Sequence, residues 1–337
     1  MTRLHAGRKL IAILAIALGL AVGASLLPEN PYQRWQLLDH TIHARARWIY
    51  ERVHYDPTPI DVAFVGPSRI EAGVNAPWLG KALAKRGLPS NVVNFSLPET
   101  GRNINAAIVE EMLKTKRPKL LVIGVIEKPS RYGHSAFKYI APRGMIADPG
   151  YIGNVNYLAD LAYLPFRQLY LFAADLLPRA TGMPKTFDPT HYAGSSVNTT
   201  GDVHLPDGTI KNGTHPASLA ELERGVHKLE HGMHPPILPA SLADMEFGDE
   251  RHYTRQIVAA AKAHGVRVAF LALPYYTGPA TVQEEPFYRQ YGPVWKASYL
   301  SSHAELYGDY GHLTSGGAKI LSDWLVAPVA AELEKPQ

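Results

Sequence analysis

Residues 60–69 read IDVAFVGPSR, a mainly apolar run that passes directly into Gly66, Pro67 and Ser68. A short apolar run that ends in a glycine turn is typical of a buried strand, and residues 76–86 after it have the apolar spacing of a helix. Strand, tight turn and helix in this order form the repeating unit of parallel α/β sheets. The stretch therefore predicts the fold class and places Ser68 at the carboxyl end of the first strand.

The same unit recurs on both sides of a long interruption. Near-continuous aliphatic runs predict further strands that are buried on both faces, as strands of parallel sheets are. The predicted elements are strands over 92–95, 120–126 and 266–273 and helices over 103–116, 250–264 and 315–333. We therefore predict a three-layer α/β fold with a parallel, flavodoxin-like sheet.

Residues 127–250 interrupt this order and are interpreted as an insertion. Residues 151–177 are rich in Tyr, Leu and Phe and predict a helix, whereas residues 184–239 are polar and dense in Gly, Pro and His. Within the polar part, residues 203–211 alternate around an Asp-Gly pair, which is the signature of a β-hairpin. We expect the insertion to act as a lid or as a platform for a substrate.

The N-terminus predicts a membrane segment over residues 1–28. Residues 1–9 carry three basic residues and no acidic one, and residues 10–27 form an uninterrupted apolar run. These 18 residues would rise about 27 Å as a helix, close to the ~30 Å hydrocarbon core of a bilayer. A signal anchor is favoured over a cleaved signal, because the run exceeds the usual length for cleavage. The positive-inside rule then predicts a single-pass protein of the bacterial inner membrane with its main domain in the periplasm.

The predicted domains follow from these segments. Residues 29–58 connect the anchor to an α/β domain over residues 59–337. Within the connection, residues 33–53 have apolar side chains at helical spacing with charged residues between them. This pattern predicts one amphipathic helix beside the membrane.

Composition excludes several classes of function. The chain has 337 residues, of which 46% are hydrophobic and 19% charged, as is typical of a protein with a buried core. The net charge is +4, but the basic residues are scattered among 30 acidic ones, so no nucleic-acid surface is expected. The absence of Cys excludes disulfides, thiolate metal sites and cysteine nucleophiles, and it leaves Ser, Thr, Asp, Glu and Lys as covalent catalysts.

Ser68 is the candidate nucleophile. Open α/β sheets hold their ligands at the carboxyl edge, and the helix after Ser68 would offer backbone N–H groups to an oxyanion. The alternative is that Ser68 only caps this helix. A serine nucleophile needs a base, and Asp309 and His312 lie three residues apart just before the closing helix. One short loop would present the imidazole to the serine and the carboxylate to the other ring nitrogen.

The Asp-x-x-His spacing occurs three times, at 188–191, 249–252 and 309–312. The first pair lies inside the insertion, and the second opens a helix that no strand precedes. Only the third pair leads into the closing helix of the predicted sheet. Its position in the fold therefore favours 309–312 as the pair that supplies the base and its carboxylate.

The sequences GPSR at 66–69 and DYGHLTSGG at 309–317, with the α/β order between them, resemble the SGNH (GDSL-type) hydrolase superfamily. The resemblance is closer to its membrane-anchored extracytoplasmic branch, which includes the teichoic-acid D-alanylation proteins. It is looser to the alginate O-acetylation proteins, in which the Asp and His precede the Ser. The resemblance covers about residues 60–126 and 266–333, and the insertion lies outside it.

This resemblance implies Ser68 as nucleophile, His312 as general base and Asp309 as the orienting carboxylate. It implies an enzyme that takes up an acyl group, most often acetyl, and passes it to a hydroxyl of an exopolysaccharide or to water. The implied partners are the polysaccharide acceptor, a multi-spanning membrane acyltransferase and a polysaccharide synthase complex. No cofactor is implied.

The superfamily also supplies donors to the oxyanion. A glycine after the second strand is one, and Gly101 is the candidate. The Asn of a Gly-x-Asn block after the third strand is another, and this chain has Gly-Val-Ile at 124–126 instead. Asn103 and Asn94 are the candidate replacements, although Asn94 is equally well interpreted as a satisfied amide at a strand end. A catalytically inactive accessory protein that binds glycan in the same cleft is therefore the alternative function.

Two other groups of residues have both a functional and a structural interpretation. Arg69 and Arg102 are candidates for holding an anionic or polyhydroxylated substrate, or for ion pairs within the fold. Six histidines lie in the insertion: His191, His204, His215, His227, His231 and His234. Three of them would share a helix face, but Gly232 and the prolines at 235–236 limit that helix, so no metal site is predicted.

Overall fold

The structure, a computed structural model, describes residues 2–126, 131–148, 154–204, 210–211, 213–232 and 236–336. The strands are β1 (Val62–Val65), β2 (Val92–Asn94), β3 (Leu120–Gly124), β4 (Val203–His204), β5 (Ile210–Lys211), β6 (Arg267–Ala272), β7 (Val294–Lys296), β8 (Tyr307–Asp309) and β9 (His312–Leu313). The helices are α1 (Thr2–Ser25), α2 (Pro31–Gln36), α3 (Arg45–His54), α4 (Ser68–Gly73), α5 (Ala76–Ala84), α6 (Arg102–Leu113), α7 (Phe137–Ile140), α8 (Arg143–Ile146), α9 (Tyr157–Leu176), α10 (Pro178–Thr181), α11 (Leu219–Gly232), α12 (Ala243–Glu246), α13 (Gly248–Ala263), α14 (Glu285–Tyr288) and α15 (Ser315–Leu333).

The central sheet has five strands in the order β2-β1-β3-β6-β7, and all neighbours in it are parallel. This confirms the predicted α/β class with a parallel sheet. The order is that of flavodoxin-like sheets, in which the strand order reverses between β1 and β3. Ser68 therefore follows the strand at the switch point, where such folds bind their ligands. The edge strand β7 has three residues, one of them Lys296, and lacks the apolar run that marks the other strands, so the sequence did not predict it.

Apolar residues cover both faces of the sheet. Along β1, Ala63 and Val65 face one core cluster, which includes side chains of α3, α6 and α13. Val62 and Phe64 face the other cluster, formed with α4, α5 and α15. The alternation follows from the two-residue period of a strand. The sheet thus lies between two helical layers.

The connection between anchor and sheet is not the single helix predicted over residues 33–53. It consists of α2 and α3 with turns between them, and its apolar side chains pack into the core. Several of its charged residues are buried and paired: Arg34 lies 2.9 Å from Glu29 and 3.5 Å from Glu111. The guanidinium of Arg52 donates to backbone carbonyls, including that of Ser195. These charges gave the amphipathic pattern, but they face partners inside the protein.

The N-terminal helix α1 stands apart from the sheet. Its window Gly7–Ser25 has 19 residues with a mean hydropathy of 1.8, and none of it is buried. By length and composition it fits a membrane anchor or an export signal. Among the described residues it is the one helix that meets these criteria.

The insertion contains the helix and the hairpin that the sequence predicted. Helix α9 covers most of the predicted helix over 151–177. Strands β4 and β5 pair antiparallel, with Val203 opposite Lys211, which confirms the predicted hairpin. Residues 205–209, which connect these strands, lie outside the described residues.

Candidate active site

The chain reverses direction between β1 and α4, and this turn presents Ser68. A Cβ atom at Gly66 would lie 2.7 Å from Cγ1 of Ile70 and 3.2 Å from Cα of Gly124, so only glycine allows the ends of β1 and β3 to approach this closely. Pro67 follows in an extended conformation, and its carbonyl accepts the amides of Ile70 and Glu71. Ser68 is therefore the first residue of α4.

Ser68, His312 and Asp309 form a continuous chain of hydrogen bonds. Nε2 of His312 lies 2.6 Å from Oγ of Ser68, and Nδ1 lies 2.8 Å from each carboxylate oxygen of Asp309. An ionised carboxylate only accepts hydrogen bonds, so Nδ1 carries the ring proton and Nε2 is free to accept from the serine hydroxyl. The fold brings together all three residues predicted for the triad, across an interval of more than two hundred residues.

The carboxylate of Asp309 is oriented by its own turn. Its Oδ1 accepts the backbone amides of Gly311 and His312, both at 2.9 Å. The turn joins β8 to β9, and the amide of Tyr276 donates to the carbonyl of Tyr310 at 2.8 Å. These bonds fix the loop to the segment that follows β6.

Helix α11 of the insertion supports this turn from outside. The backbone of α11 approaches Tyr310 so closely that a Cβ at Gly225 would collide with the tyrosine side chain. The amide of Ala217, just before α11, donates to the carbonyl of Tyr307 at 2.9 Å. The insertion is therefore part of the framework that positions Asp309 and His312.

A cavity of about 390 Å³ opens at Ser68. It is lined by residues of the triad, of α4 and of the insertion: Ile42, Ser68, Glu71, Ala72, Pro98, Thr199, Thr200, Gly201, Gly213, Gly308, Asp309, His312 and Leu313. The insertion wall is attached to the domain, because Thr199 Oγ1 donates to the carbonyl of Glu71 and Ser315 Oγ donates to that of Thr200, both at 2.5 Å. No local pattern indicates this wall, since the contacts join segments that are distant along the chain.

Asn94, a candidate oxyanion donor, does not line the cavity. It is fully buried, and its Nδ2 donates to the carbonyls of Ile70 and Val74 at 2.8 and 3.1 Å. Nδ2 also lies 3.2 Å from Oγ1 of Thr199. The prediction of substrate contact is corrected here: Asn94 is the satisfied strand-end amide, and it holds α4 and the insertion wall together.

Gly101 and Asn103 are also not among the residues that line the cavity. Gly101 has a φ of 139°, and a Cβ there would collide with the backbone of His134. The Oδ1 of Asn103 accepts the amides of Ile104 and His134, and its Nδ2 is buried without a hydrogen-bond partner in the described part of the chain. The fold therefore uses Gly101 for a close backbone approach.

The two arginines have structural contacts. The guanidinium of Arg69 lies over the ring of Tyr275, 5.4 Å from its centroid, and Arg69 is not part of the cavity wall. Arg102 is fully buried, with Nη2 2.7 Å from Glu250 and 2.6 Å from the carbonyl of Gly124. Arg102 thus forms the ion pair that was the alternative to substrate binding, at the end of β3.

One cluster of possible metal ligands occurs in the described residues: His43, Glu99 and His134, whose ligand atoms lie within 4.8 Å of one another. Nδ1 of His134 accepts the amide of Ala136, so Nε2 carries the proton and donates to the carbonyl of Pro98 at 2.6 Å. A ligand nitrogen needs a free lone pair, and His134 has none in this arrangement.

Burial lowers the pKa of His134 to about 4, so the ring stays neutral. Its bonds to Pro98 and Ala136 hold the loop whose Pro98 lines the cavity. The sequence did not predict this contact, because His134 lies in the insertion and Pro98 follows the second strand, and the two residues meet only in the folded chain.

Among the histidines of the insertion, the rings of His227 and His231 stack with centroids 3.8 Å apart, and Nδ1 of His231 donates to the carbonyl of His227. His234 and the side chain of His204 lie outside the described residues. The three-histidine face considered in the sequence is therefore described only in part.

Fold and site together define an α/β protein with a Ser-His-Asp arrangement at the switch point of a parallel sheet. The chain matches no model of a known protein family, and no characterised protein shows significant sequence similarity to it. The resemblance to the SGNH superfamily therefore rests on the two sequence blocks that contain Ser68 and His312.

Proposed function

We propose that the protein is a serine-dependent O-acyltransferase or esterase of the SGNH type. The observation that carries this proposal is the contact of 2.6 Å between Nε2 of His312 and Oγ of Ser68, with Asp309 bonded to the opposite ring nitrogen. This is the geometry that a general base needs to accept the proton of a serine nucleophile.

In the first half-reaction, Oγ of Ser68 attacks the acyl carbonyl carbon while Nε2 of His312 takes the hydroxyl proton. Asp309 stabilises the imidazolium that forms. The bond to the leaving group then breaks, and His312 returns the proton to it, which leaves an acyl ester on Ser68. In the second half-reaction an acceptor hydroxyl or water attacks this ester, again with His312 as base, and Ser68 is regenerated.

The amide of Ser68 is one donor for the oxyanion of both tetrahedral intermediates. As the first residue of α4, Ser68 has no acceptor for its N–H within the helix. A backbone amide adjacent to the nucleophile is a donor of this kind in serine hydrolases.

The cavity supports a small acyl group and a polyhydroxylated acceptor. Ile42, Pro98 and Leu313 give it an apolar side for a group such as acetyl, and residues 199–201 and 213 form the wall that the insertion contributes. Its volume of about 390 Å³ is within the range of small-molecule sites. We propose a hydroxyl of an exopolysaccharide as acceptor.

The proposed location is the periplasmic face of a bacterial inner membrane, with α1 as a single-pass anchor. The basic residues before the apolar run support this orientation, since they favour the cytoplasmic side. In this setting a multi-spanning membrane acyltransferase would deliver the acyl group, and a polysaccharide synthase complex would present the acceptor.

The test is pre-steady-state hydrolysis of p-nitrophenyl acetate by the full-length protein in detergent. We expect a burst of about one equivalent of nitrophenol followed by slow turnover, since acyl-enzyme accumulation has this kinetic signature. Oligosaccharide acceptors should accelerate the slow phase and become acetylated if the protein is a transferase. A slow phase that oligosaccharides leave unchanged, with acetate as the only acyl product, would identify an esterase.

A second candidate is a glycan-binding accessory protein without catalysis. It is favoured by one observation: Asn94, Gly101 and Asn103 are absent from the cavity lining, so fewer oxyanion donors are available than the resemblance implies. On this alternative, p-nitrophenyl acetate gives no burst, whereas oligosaccharides still bind.

A further inference from the structure

Helix α9 buries polar side chains and exposes large apolar ones, the reverse of a surface helix in a soluble domain. Its polar residues Asp160, Arg167 and Gln168 are buried. Nη1 of Arg167 donates to the carbonyls of Lys138 and Ala141 at 2.9 and 2.7 Å. The charged face of α9 is therefore turned toward the protein.

The outward face of α9 is apolar. Large exposed side chains lie on it, with exposed fractions of 70% for Leu158, 69% for Phe166, 49% for Leu169 and 62% for Leu176. At 100° per residue these four fall within a stripe about 80° wide. The charged residues of α9 all project elsewhere on the helix. A continuous exposed stripe of this kind marks an interaction surface.

This stripe continues into the membrane helix. An apolar groove of about 920 Å³ separates α9 from the last turns of α1, and Leu18 and Leu26 lie on its α1 side. Leu158, Phe166 and Leu169 form its α9 side. The groove therefore joins the exposed face of α9 to a helix whose window Gly7–Ser25 is mainly apolar and has no buried residue.

The end of α1 is held against this region by polar contacts. Nη1 of Arg143 donates to the carbonyl of Leu26, and Nε2 of Gln168 donates to that of Leu27, both at 3.1 Å. Arg167 lies 3.5 Å from Glu29. These bonds satisfy carbonyls at the end of the helix and fix α9 relative to the point where α1 would leave the bilayer.

The depth of α9 follows from the length of α1. The window Gly7–Ser25 rises about 28 Å, which nearly matches the hydrocarbon core. Leu18 precedes Ser25 by seven residues, so it would lie about 10 Å below the outer interface. Interfacial helices bury their apolar faces to ~5–10 Å. The part of α9 that flanks α1 lies within this range.

We propose that α9 is a second membrane contact, whose stripe of Leu158, Phe166, Leu169 and Leu176 inserts into the outer leaflet beside α1. The occupant of this surface is the lipid of the bilayer. Two attachments, one spanning and one interfacial, would hold the domain that carries Ser68 at a fixed height and orientation over the membrane. The proposal requires that α1 is retained as an anchor, and it does not depend on the chemistry at Ser68.

The chain has no cysteine, so single cysteines are unique labelling sites. We would place them at Phe166 and Leu169, and at Ile320 as control. Ile320 is an exposed apolar residue of α15, which packs on the opposite face of the sheet from α3 and α6. Each full-length variant would be labelled with the fluorophore NBD and reconstituted into phosphatidylcholine vesicles that contain lipids spin-labelled at acyl position 5.

We expect the labels at 166 and 169 to be quenched several-fold and the label at 320 to be unaffected. The same two cysteines, left unlabelled, should resist a water-soluble maleimide in these vesicles. The proposal would be overturned if the labels at 166 and 169 were quenched no more than the label at 320 and the unlabelled cysteines reacted fully with the maleimide. If the cysteines then resisted maleimide only in native membranes, a protein partner would be the occupant. Ser68→Ala should leave every value unchanged.

Discussion

The turns at 309–312 and 188–191 have the same spacing and the same local pairing. In the first, Nδ1 of the histidine lies 2.8 Å from the carboxylate, and in the second 3.0 Å. Only His312 has a serine hydroxyl at its other ring nitrogen. The side chain of His191 is 78% exposed, and the described residues place no hydrogen-bond partner at its Nε2. The local sequence is therefore enough to form the Asp-His pair, whereas the fold of the sheet decides which pair has a serine beside it.

The remaining occurrence of the spacing, at 249–252, lies in the first turn of α13 and has a different role. Asp249 is buried, and its Oδ2 accepts the amide of Arg102 at 2.6 Å. Its carboxylate thus binds the start of α6. One sequence pattern serves here as a candidate catalytic pair, a surface pair and a buried cap, according to what the fold places beside it.

The largest effect should come from breaking the pair at 309–312. Ser68→Ala and His312→Ala should each lower kcat/KM for p-nitrophenyl acetate by about 10⁴-fold or more, and the double variant should lose little beyond that. Asp309→Asn should lower kcat/KM less than either of these variants, because the general base His312 remains. If the loss of kcat/KM in the double variant were the product of the two single losses, Ser68 and His312 would not act as a unit.

The support of the turn at 309–312 is tested by Gly225→Ala. The new Cβ would push Tyr310 and shift His312 away from Ser68, and a misplacement of about 1 Å costs on the order of a hundredfold in turnover. Gly232→Ala on the same helix is the matched control, since nothing lies within 4 Å of its added Cβ. Equal turnover of both variants would show that α11 does not position the turn.

The buried Asp249 extends the comparison to the stability of the fold. Burial raises the pKa of Asp249 to about 8, well above the ~3.9 of an unfolded aspartate. Between these values the folded chain binds a proton that the unfolded chain releases, so this residue makes the free energy of unfolding fall as the pH rises from about 4 to about 8. Asp249→Asn should flatten that slope in denaturant titrations at pH 5 and pH 8. An unchanged slope would contradict a neutral Asp249.

The smallest effect should come from the exposed pair. Thr190 and His191 hold the carboxylate of Asp188 and lower its pKa to about 2, but the pair faces solvent. His191→Ala should therefore leave kcat/KM within about twofold of the parent, as surface substitutions away from a site usually do. A loss similar to that of His312→Ala would contradict the assignment of 309–312, and not 188–191, as the catalytic pair.

The parts of the fold that depend on local pattern were predictable. The strands that became β1, β3 and β6 are apolar runs, and the position of Ser68 after one of them predicted its place at the sheet edge. Asp309 and His312 followed from spacing and from their position before the last helix. Each of these inferences needed only neighbouring residues and the order of elements.

The rest depends on contacts between distant segments. Asn94 was a candidate oxyanion donor in the sequence, but its amide is taken up by carbonyls of α4, which no local pattern indicates. The charges of residues 33–53 indicated a solvent face, although Arg34 and Arg52 are paired inside the protein. A one-dimensional pattern records that a residue is polar, and it does not record which partner that residue meets.

The central claim, that Ser68 is a nucleophile activated by His312, is tested most directly by covalent trapping. The full-length protein would be treated with a fluorophosphonate and the modified peptide identified by mass spectrometry. We predict modification at Ser68 in the parent and in His191→Ala, and its loss in His312→Ala. Modification of another serine, or labelling of Ser68 that persists unchanged in His312→Ala, would contradict the account.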